Sequence, residues 1–315
     1  KGISMHYSPA PLHIPENFLS LAVSLVCWLI TASVLSVAIS RTNKSLGEKR
    51  VPLMGVMAAF IFAAQMINFP VIGGTSGHLL GGVLAAITLG PWAGMLVMTA
   101  VIAVQALLFQ DGGLLVMGAN IMNMGLVTVA IGYGLYRGVS GGNRTLKLSV
   151  AGVAAWLSVM AGALFTSLEL WLSGYAKLQI VIPAMLSIHA LIGIGEALIT
   201  VAALAFILQS RPDLLGEKSE SAKGSRGWVV AGVLMSILVV LLSPLASSDP
   251  DGLERVASDL GILGSGRSAS FEILPDYTIP FLGTTPASTI FAGIAGLVVV
   301  AVIIMLVGQG MKAKS

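Results

Sequence analysis

Long apolar runs broken by short polar segments make up most of this chain. Nine runs stand out, at about residues 18–40, 51–69, 78–90, 92–109, 114–136, 146–172, 179–208, 228–246 and 287–309. Most reach the roughly 18 residues that an α-helix needs to cross a hydrocarbon core about 30 Å thick. The run at 78–90 is short and bounded by glycines. It reads as a tilted or broken helix, which is tolerated at membrane depth only where protein or a cavity covers it. No period-two alternation of the kind a membrane barrel needs is present. The pattern predicts an all-α integral membrane protein, with a seven-helix bundle followed by two C-terminal transmembrane helices.

Two polar stretches organise these runs. "SRPDLLGEKSESAKGSRG", residues 210–227, is charged and rich in Ser and Gly, as a linker is. It separates a first domain, 12–209, from a second, 228–315; residues 1–11 form an N-terminal extension. The loop 247–286 lies between the last two runs and carries six acids (Asp249, Asp251, Glu254, Asp259, Glu272 and Asp276) and two arginines. Basic residues orient the spans, because they are retained on the cytoplasmic side. With the N-terminus outside, the inner segments hold Arg41, Lys44, Lys49 and Arg50, then Arg137, Arg144 and Lys147, then Arg211, Lys218, Lys223 and Arg226, and finally Lys312 and Lys314. That is 13 of the 17 basic residues, and an even number of spans would break the pattern. "LHIPENFLS" (12–20) and "NFPVIGGTSGH" (68–78) then face outside, and the C-terminus lies inside.

Composition agrees with this reading. Of 315 residues, 56% are hydrophobic and only 10% charged, against about 25% charged in soluble domains. The lipid bilayer is therefore a partner, and no nucleic acid is expected. The single cysteine, Cys27, excludes an intrachain disulfide and a Cys-based metal cluster. No G-x-x-x-x-G-K-[ST] is present, so this chain does not bind ATP through a P-loop. Neither H-E-x-x-H nor G-x-S-x-G occurs, which argues against a membrane protease or hydrolase.

The chemistry concentrates in four histidines, His6, His13, His78 and His189. The first three fall on the outer side. His78 ends "GGTSGH", whose glycines let the backbone turn sharply. Neutral imidazole is the commonest ligand for late first-row metals, and two outer histidines are the minimum for such a site. The alternative is that each histidine anchors a helix at the interface. His189 and Glu196, seven apart, share one helix face. Ionisable groups inside a membrane are costly and often functional, so the pair points to a role in coupling away from the outer site, or else to bonds with a neighbouring helix. Asn120 with Asn123, and Gln65 with Asn68, are i,i+3 pairs that read as fixing helix packing, the alternative being contact with metal. Asp111, in "FQDGG", either steers cations or makes an ordinary turn. Gly55, Ala59 and Ala63 form a ridge of small residues that lets another helix approach closely. The 14 methionines are scattered through apolar runs and read as core filling.

Four stretches carry a resemblance: "HIPENFLS", "INFPVIGGTSGHLLGGVLAAITLGPW", "FQDGGLLVMGANIMNMG" and "HALIGIGEALIT". From residue 12 to about 208 the chain resembles the substrate-binding component of energy-coupling-factor transporters for cobalt and nickel. "DPDGLERVASDLG" and "PDYTIPFLG" are similar to the accessory subunit of the same systems, which some members carry as a fusion. The resemblance implies capture of Ni²⁺ or Co²⁺ at the outer face of a bacterial or archaeal plasma membrane, with a transmembrane coupling subunit and ATPase subunits as partners. It implies no prosthetic group and no enzymatic activity, and places the chain with ion transport and cobalamin biosynthesis. It also makes the Gly55 ridge a docking face for the coupling subunit, the alternative being packing within this chain.

The implied metal site is a nitrogen set: a free terminal amine, the next residue's amide and imidazole, and a histidine from the Gly-rich outer loop. On this chain these are Leu12, His13 and His78. A square-planar nitrogen set suits Ni(II), Cu(II) or low-spin Co(II). The family's terminus reads Met-His, whereas Leu12-His13 here follows eleven residues. Cleavage after Pro11, a start at position 12, or a retained extension with a fourth ligand such as His6 would each complete the site; a mature start at position 12 is favoured. Two other readings are a binding component for an organic vitamin and a membrane metalloenzyme using His189 and Glu196.

Overall fold

The computed structural model describes residues 13–45, 50–139, 141–215, 227–266 and 273–312. The N-terminal extension with His6, Leu12, and most of the 210–227 linker lie outside the described residues. Each of the nine apolar runs contains a helix, but they differ in length. Among the described residues, seven helices are long and apolar enough to cross a membrane, so this is a multi-pass membrane protein.

The seven are α1 (Leu21–Ser45), α4 (Pro91–Val104, continued by a π turn Gln105–Phe109), the helix formed by α5 (Met117–Asn120), a π turn Ile121–Val127 and α6 (Thr128–Arg137), then α7 (Arg144–Leu172), α8 (Leu178–Ser210), α9 (Gly227–Leu242) and α11 (Pro286–Lys312). The other two runs fall short. α2 (Arg50–Gln65) has 16 residues, and α3 (Gly82–Leu89) has 8. At 1.5 Å per residue α3 rises about 12 Å, under half of a hydrocarbon core. Gly90 in a left-handed conformation (φ 81°), followed by Pro91 at the first turn of α4, reverses the chain at that depth. All of α3 except Ile87 is buried, so protein rather than lipid meets its ends. The reversal leaves the His78 segment before α3 and the Asp111 segment after α4 at the same end of the bundle.

Two elements do not come from apolar runs. A small antiparallel hairpin, β1 (Phe69–Val71) and β2 (Thr75–Gly77), pairs Phe69 with Gly77 and Val71 with Thr75. Its turn uses Gly73 and Gly74 at φ 103° and 70°, a region that L side chains rarely adopt. A short amphipathic helix, α10 (Gly252–Asp259), sits in the 247–286 loop. Asp251 caps it, accepting from the Glu254 backbone N–H at 2.7 Å.

The C-terminal helices are part of the bundle. α2 packs against both α9 and α11. The ridge on α2 is consumed by this contact: Ala59 and Ala63 are buried, and a Cβ at Gly55 would lie 2.9 Å from Met305 Cγ. Of the two readings of this ridge, packing within the chain and a docking face for a coupling subunit, the contact with α11 supports the first. α11 answers with small residues of its own, and a Cβ on Gly293 would crowd the Met66 side chain at 2.8 Å. Close backbone approach replaces the hydrophobic effect as the packing device between helices in lipid.

Gly55→Leu should therefore lower the melting temperature of the isolated chain in detergent, by an overpacking cost of about 1–3 kcal/mol. Gly134→Leu, where a Cβ meets nothing within 4 Å, should leave it nearly unchanged. Equal melting temperatures for the two variants would place the ridge outside the core.

Candidate metal site

"HIPENFLS" enters the bundle rather than lying on its surface. His13 is 2% exposed and Ile14 is 3%. Asn120 holds Ile14 from both sides, accepting from its N–H at 3.0 Å and donating to its carbonyl at 3.2 Å. The Gly113 N–H donates to the same carbonyl at 3.2 Å. Gly112 makes the approach possible: its φ is 94°, and a Cβ there would lie 2.9 Å from His13 Cβ. Glu16 accepts from the Leu115 N–H at 3.3 Å. The "DGG" of "FQDGG" thus serves to admit the N-terminal segment.

Asp111 is not an exposed steering group. It is 3% exposed and is bound to His13 twice over. The His13 backbone N–H donates to Oδ1 at 3.2 Å, and His13 Nδ1 lies 2.9 Å from Oδ1 and 3.1 Å from the Asp111 carbonyl oxygen. Both neighbours of Nδ1 are acceptors, so Nδ1 carries the hydrogen and Nε2 the lone pair. Burial disfavours a charged imidazole, but the Asp111 carboxylate more than offsets this and holds His13 above its ordinary value. Burial likewise opposes ionisation of Asp111, yet His13 and a hydrogen bond from Tyr277 keep it below the usual carboxylate range.

His13 Nε2 is buried with no hydrogen-bond partner among the described residues. The His13 residue lines a cavity of about 80 Å³ that His78, Asn123, His189 and Asp251 also line. Asn123 Oδ1 is buried and unpartnered too, while its Nδ2 donates to Thr166 Oγ1 (3.2 Å) and Glu169 Oε2 (2.8 Å). An unsatisfied buried polar atom costs about 1–3 kcal/mol, which an incoming cation would offset. The His13 and His78 rings meet edge to face with centroids 6.0 Å apart. Two imidazoles sharing one ion at about 2.0–2.1 Å have centroids no more than about 6.5 Å apart, so the separation suits a shared ion. His78 Nδ1 lies 3.0 Å from the Leu79 carbonyl oxygen, which again puts the hydrogen on Nδ1.

Two residues lie elsewhere than their sequence positions imply. His189 lines the same cavity, with Nδ1 donating to the Met185 carbonyl at 2.8 Å; it is not remote from the outer histidines. Glu196 is not a deep, separate group either. It accepts from the Leu80 N–H at 2.6 Å and the Gly81 N–H at 3.0 Å, two and three residues past His78, and so caps α3 where Gly81 has no side chain to do so. A one-dimensional count along α8 could not reveal that the chain after His78 descends to meet it. The two polar pairs divide: Asn123 joins α7 and Gln65 Nε2 donates to the Leu80 carbonyl at 2.8 Å, as packing residues do, while Asn120 and Asn123 also line the cavity.

Sequence reasoning missed Asp251 and Tyr277. The hairpin accepts the 247–251 segment as a partner: the Ser76 N–H donates to the Pro250 carbonyl at 2.8 Å, and Ser76 Oγ to the Asp249 carbonyl at 2.8 Å. This places Asp251 on the cavity wall, 4% exposed, where burial pushes its carboxyl up to about 7. Tyr277 reaches Asp111 from the opposite side. A second cavity of about 320 Å³ lies beyond Asp111, walled also by Tyr277, Asp249 and Asp276. Among the described residues no three His, Cys, Asp or Glu side chains are grouped to hold an ion by themselves, so further donors are needed beside His13 and His78.

Comparison with known proteins agrees over nearly the whole chain. Residues 13–214 match a family described as the cobalt uptake substrate-specific transmembrane region, and residues 226–313 match the PDGLE domain. A relative from Archaeoglobus fulgidus, named for fused nickel transport, is 38% identical over 295 residues, covering 92% of this chain and 95% of its own. The fused nickel transport protein of Rhodobacter capsulatus is 27% identical over 343 residues, covering 96% and 97%. The cobalt transport protein of Geobacter sulfurreducens is 31% identical over 253 residues, covering 76% and 72%. A crystal structure of a truncated transition metal transporter superposes with a TM-score of 0.57 at 37% identity, covering 62% of this chain and 98% of that one. A bundle that closes over two facing histidines, matched from end to end by proteins named for metal transport, belongs to the cobalt uptake substrate-specific transmembrane family, here continued by a PDGLE domain.

Proposed function

We propose that this protein captures Ni²⁺ or Co²⁺ at the outer face of a bacterial or archaeal plasma membrane, as the substrate-specific subunit of an energy-coupling-factor uptake transporter. A coupling subunit and ATPase subunits supply the energy, since the chain has no P-loop. The observation that carries the reading is the unpartnered, buried Nε2 of His13 in a cavity shared with His78. An ion substrate fits that cavity. At about 80 Å³ it is too small for an organic vitamin, because such sites run roughly 300–1,000 Å³. The metalloenzyme reading loses its base, because Glu196 is engaged by two backbone N–H groups.

The ligand set proposed is the imidazoles of His13 and His78 with the amine of Leu12, which lies outside the described residues; the His13 amide, expected as a fourth nitrogen, donates instead to Asp111. Asp111 stands behind His13 as carboxylates commonly stand behind metal-bound imidazoles, fixing tautomer and ring orientation. Ligands must be deprotonated to bind, so affinity falls with falling pH. Because Asp111 raises the His13 pKa, protons compete from above the ordinary histidine value. The proposed arrangement has the N-terminus outside, the C-terminus inside, and residues 12–209 and 228–315 as domains joined by a cytoplasmic linker.

Metal titration of purified chain tests the site. His13→Ala and His78→Ala should each abolish tight Ni²⁺ or Co²⁺ binding, and retention of affinity in both would sink the assignment. A chain beginning at residue 12 should bind at least about 10–100-fold more tightly than one with an uncleavable extension, a change of the size that even outer-shell losses produce. Equal affinity would remove the amine from the ligand set. For orientation, a cysteine at exposed Ser248 in a Cys27→Ser background should be labelled by an impermeant reagent in intact cells, whereas labelling only after permeabilisation would reverse the topology.

A further inference from the structure

Tyr277 comes from the PDGLE part of the chain, yet its hydroxyl donates to Asp111 Oδ2 at 2.6 Å. The other carboxylate oxygen of Asp111 is the one bound to His13. A continuous chain of hydrogen bonds therefore runs Tyr277 to Asp111 to His13, linking residues 166 and 98 positions apart. The tyrosine is aimed with care. Asp276 and Tyr277 both adopt left-handed backbone (φ 51° and 55°), which is uncommon for non-glycine residues. Such conformations persist where the surroundings over-determine them. Here the Tyr277 ring stacks on Phe109 with centroids 4.5 Å apart and planes at 13°. The Leu274 N–H donates to the Leu108 carbonyl at 2.9 Å, and the Ile279 N–H to Ser288 Oγ at 2.7 Å, so both flanks are tied down.

We propose that Tyr277 is a positioning residue of the metal site, acting through Asp111 to set the orientation of His13. This rests on the reading that His13 is a metal ligand. A carboxylate held only by His13 pivots with it. One held also by a buried hydroxyl on a separate helix-linked segment does not. The PDGLE part thereby supplies a fixed point for a ligand that belongs to the other part of the chain.

The test is a double-mutant cycle on the full chain, with Tyr277→Phe, Asp111→Asn and the pair, read by Ni²⁺ titration and by the visible absorption of bound Co²⁺, which reports ligand geometry. Tyr277→Phe keeps the ring and its stack on Phe109. It should weaken Ni²⁺ binding several-fold, up to the roughly 10–100-fold of outer-shell losses, and shift the Co²⁺ bands. In the Asp111→Asn background it should change neither. Unchanged or tightened affinity with unshifted bands, or effects of the two substitutions that add in full, would overturn the proposal. His13→Ala serves as the reference: if it binds normally, the metal-site reading itself fails, whereas loss in His13→Ala with no effect of Tyr277→Phe removes the positioning role alone.

Discussion

A carboxylate buried at the mouth of a membrane bundle has to be paired, and the pairing of Asp111 sets the arrangement around it. Water cannot stabilise it at 3% exposure, so the protein must, and isolated buried charge is among the most costly features a fold can hold. His13 satisfies it from the N-terminal segment and Tyr277 from the C-terminal loop. Three parts of the chain far apart in sequence are thereby drawn to one point. Much of what surrounds them serves that convergence: Gly112 making room, Asn120 clamping Ile14, and the π turn ending at Phe109 delivering Asp111 to the site. π turns often mark functional positions in helices, and here one lies on each side of the "DGG" turn.

The same principle explains the half-length helix. α3 starts buried inside the bundle, where its first backbone N–H groups have no helical partner. Glu196 accepts two bonds from the chain at that end. A buried glutamate in α8 and a broken span are thus one device. The carboxylate is tolerable because the helix start needs acceptors, and the helix start is tolerable because a carboxylate is there. The device also holds the backbone just past His78, and so steadies that imidazole from below.

Helices were legible in the sequence wherever apolar runs exceeded the length of a span, because that signal is local. Most expected runs match a helix to within a few residues, and even the shortness of 78–90 showed in its length and bounding glycines. What could not be read was whatever depends on contacts across 100 residues or more. The ridge at Gly55 announced close packing but not its partner, which lies some 250 positions away at Met305. His189 looked remote because distance along α8 says nothing about how far the hairpin and α10 reach down. Asp251 looked like one of six acids in a polar loop. Only the pairing of Ser76 with Pro250 sets it on the cavity wall. Local patterns specify elements, and the site is built where elements meet.

The strand-like contact between the hairpin and the 247–251 segment is sequence-distant but lies within a single chain. Its bonds are few: two from Ser76 and one from Thr75. Between separate molecules this patch, even together with the packing of α2 on α9 and α11, would form and break according to how much of each was present. Covalent connection replaces that dependence with a local concentration of millimolar order. A contact with a micromolar dissociation constant would then be closed about 1,000 times as often as open. The fused chain therefore carries its own closure with it, at the same occupancy in a cell that makes few copies as in one that makes many.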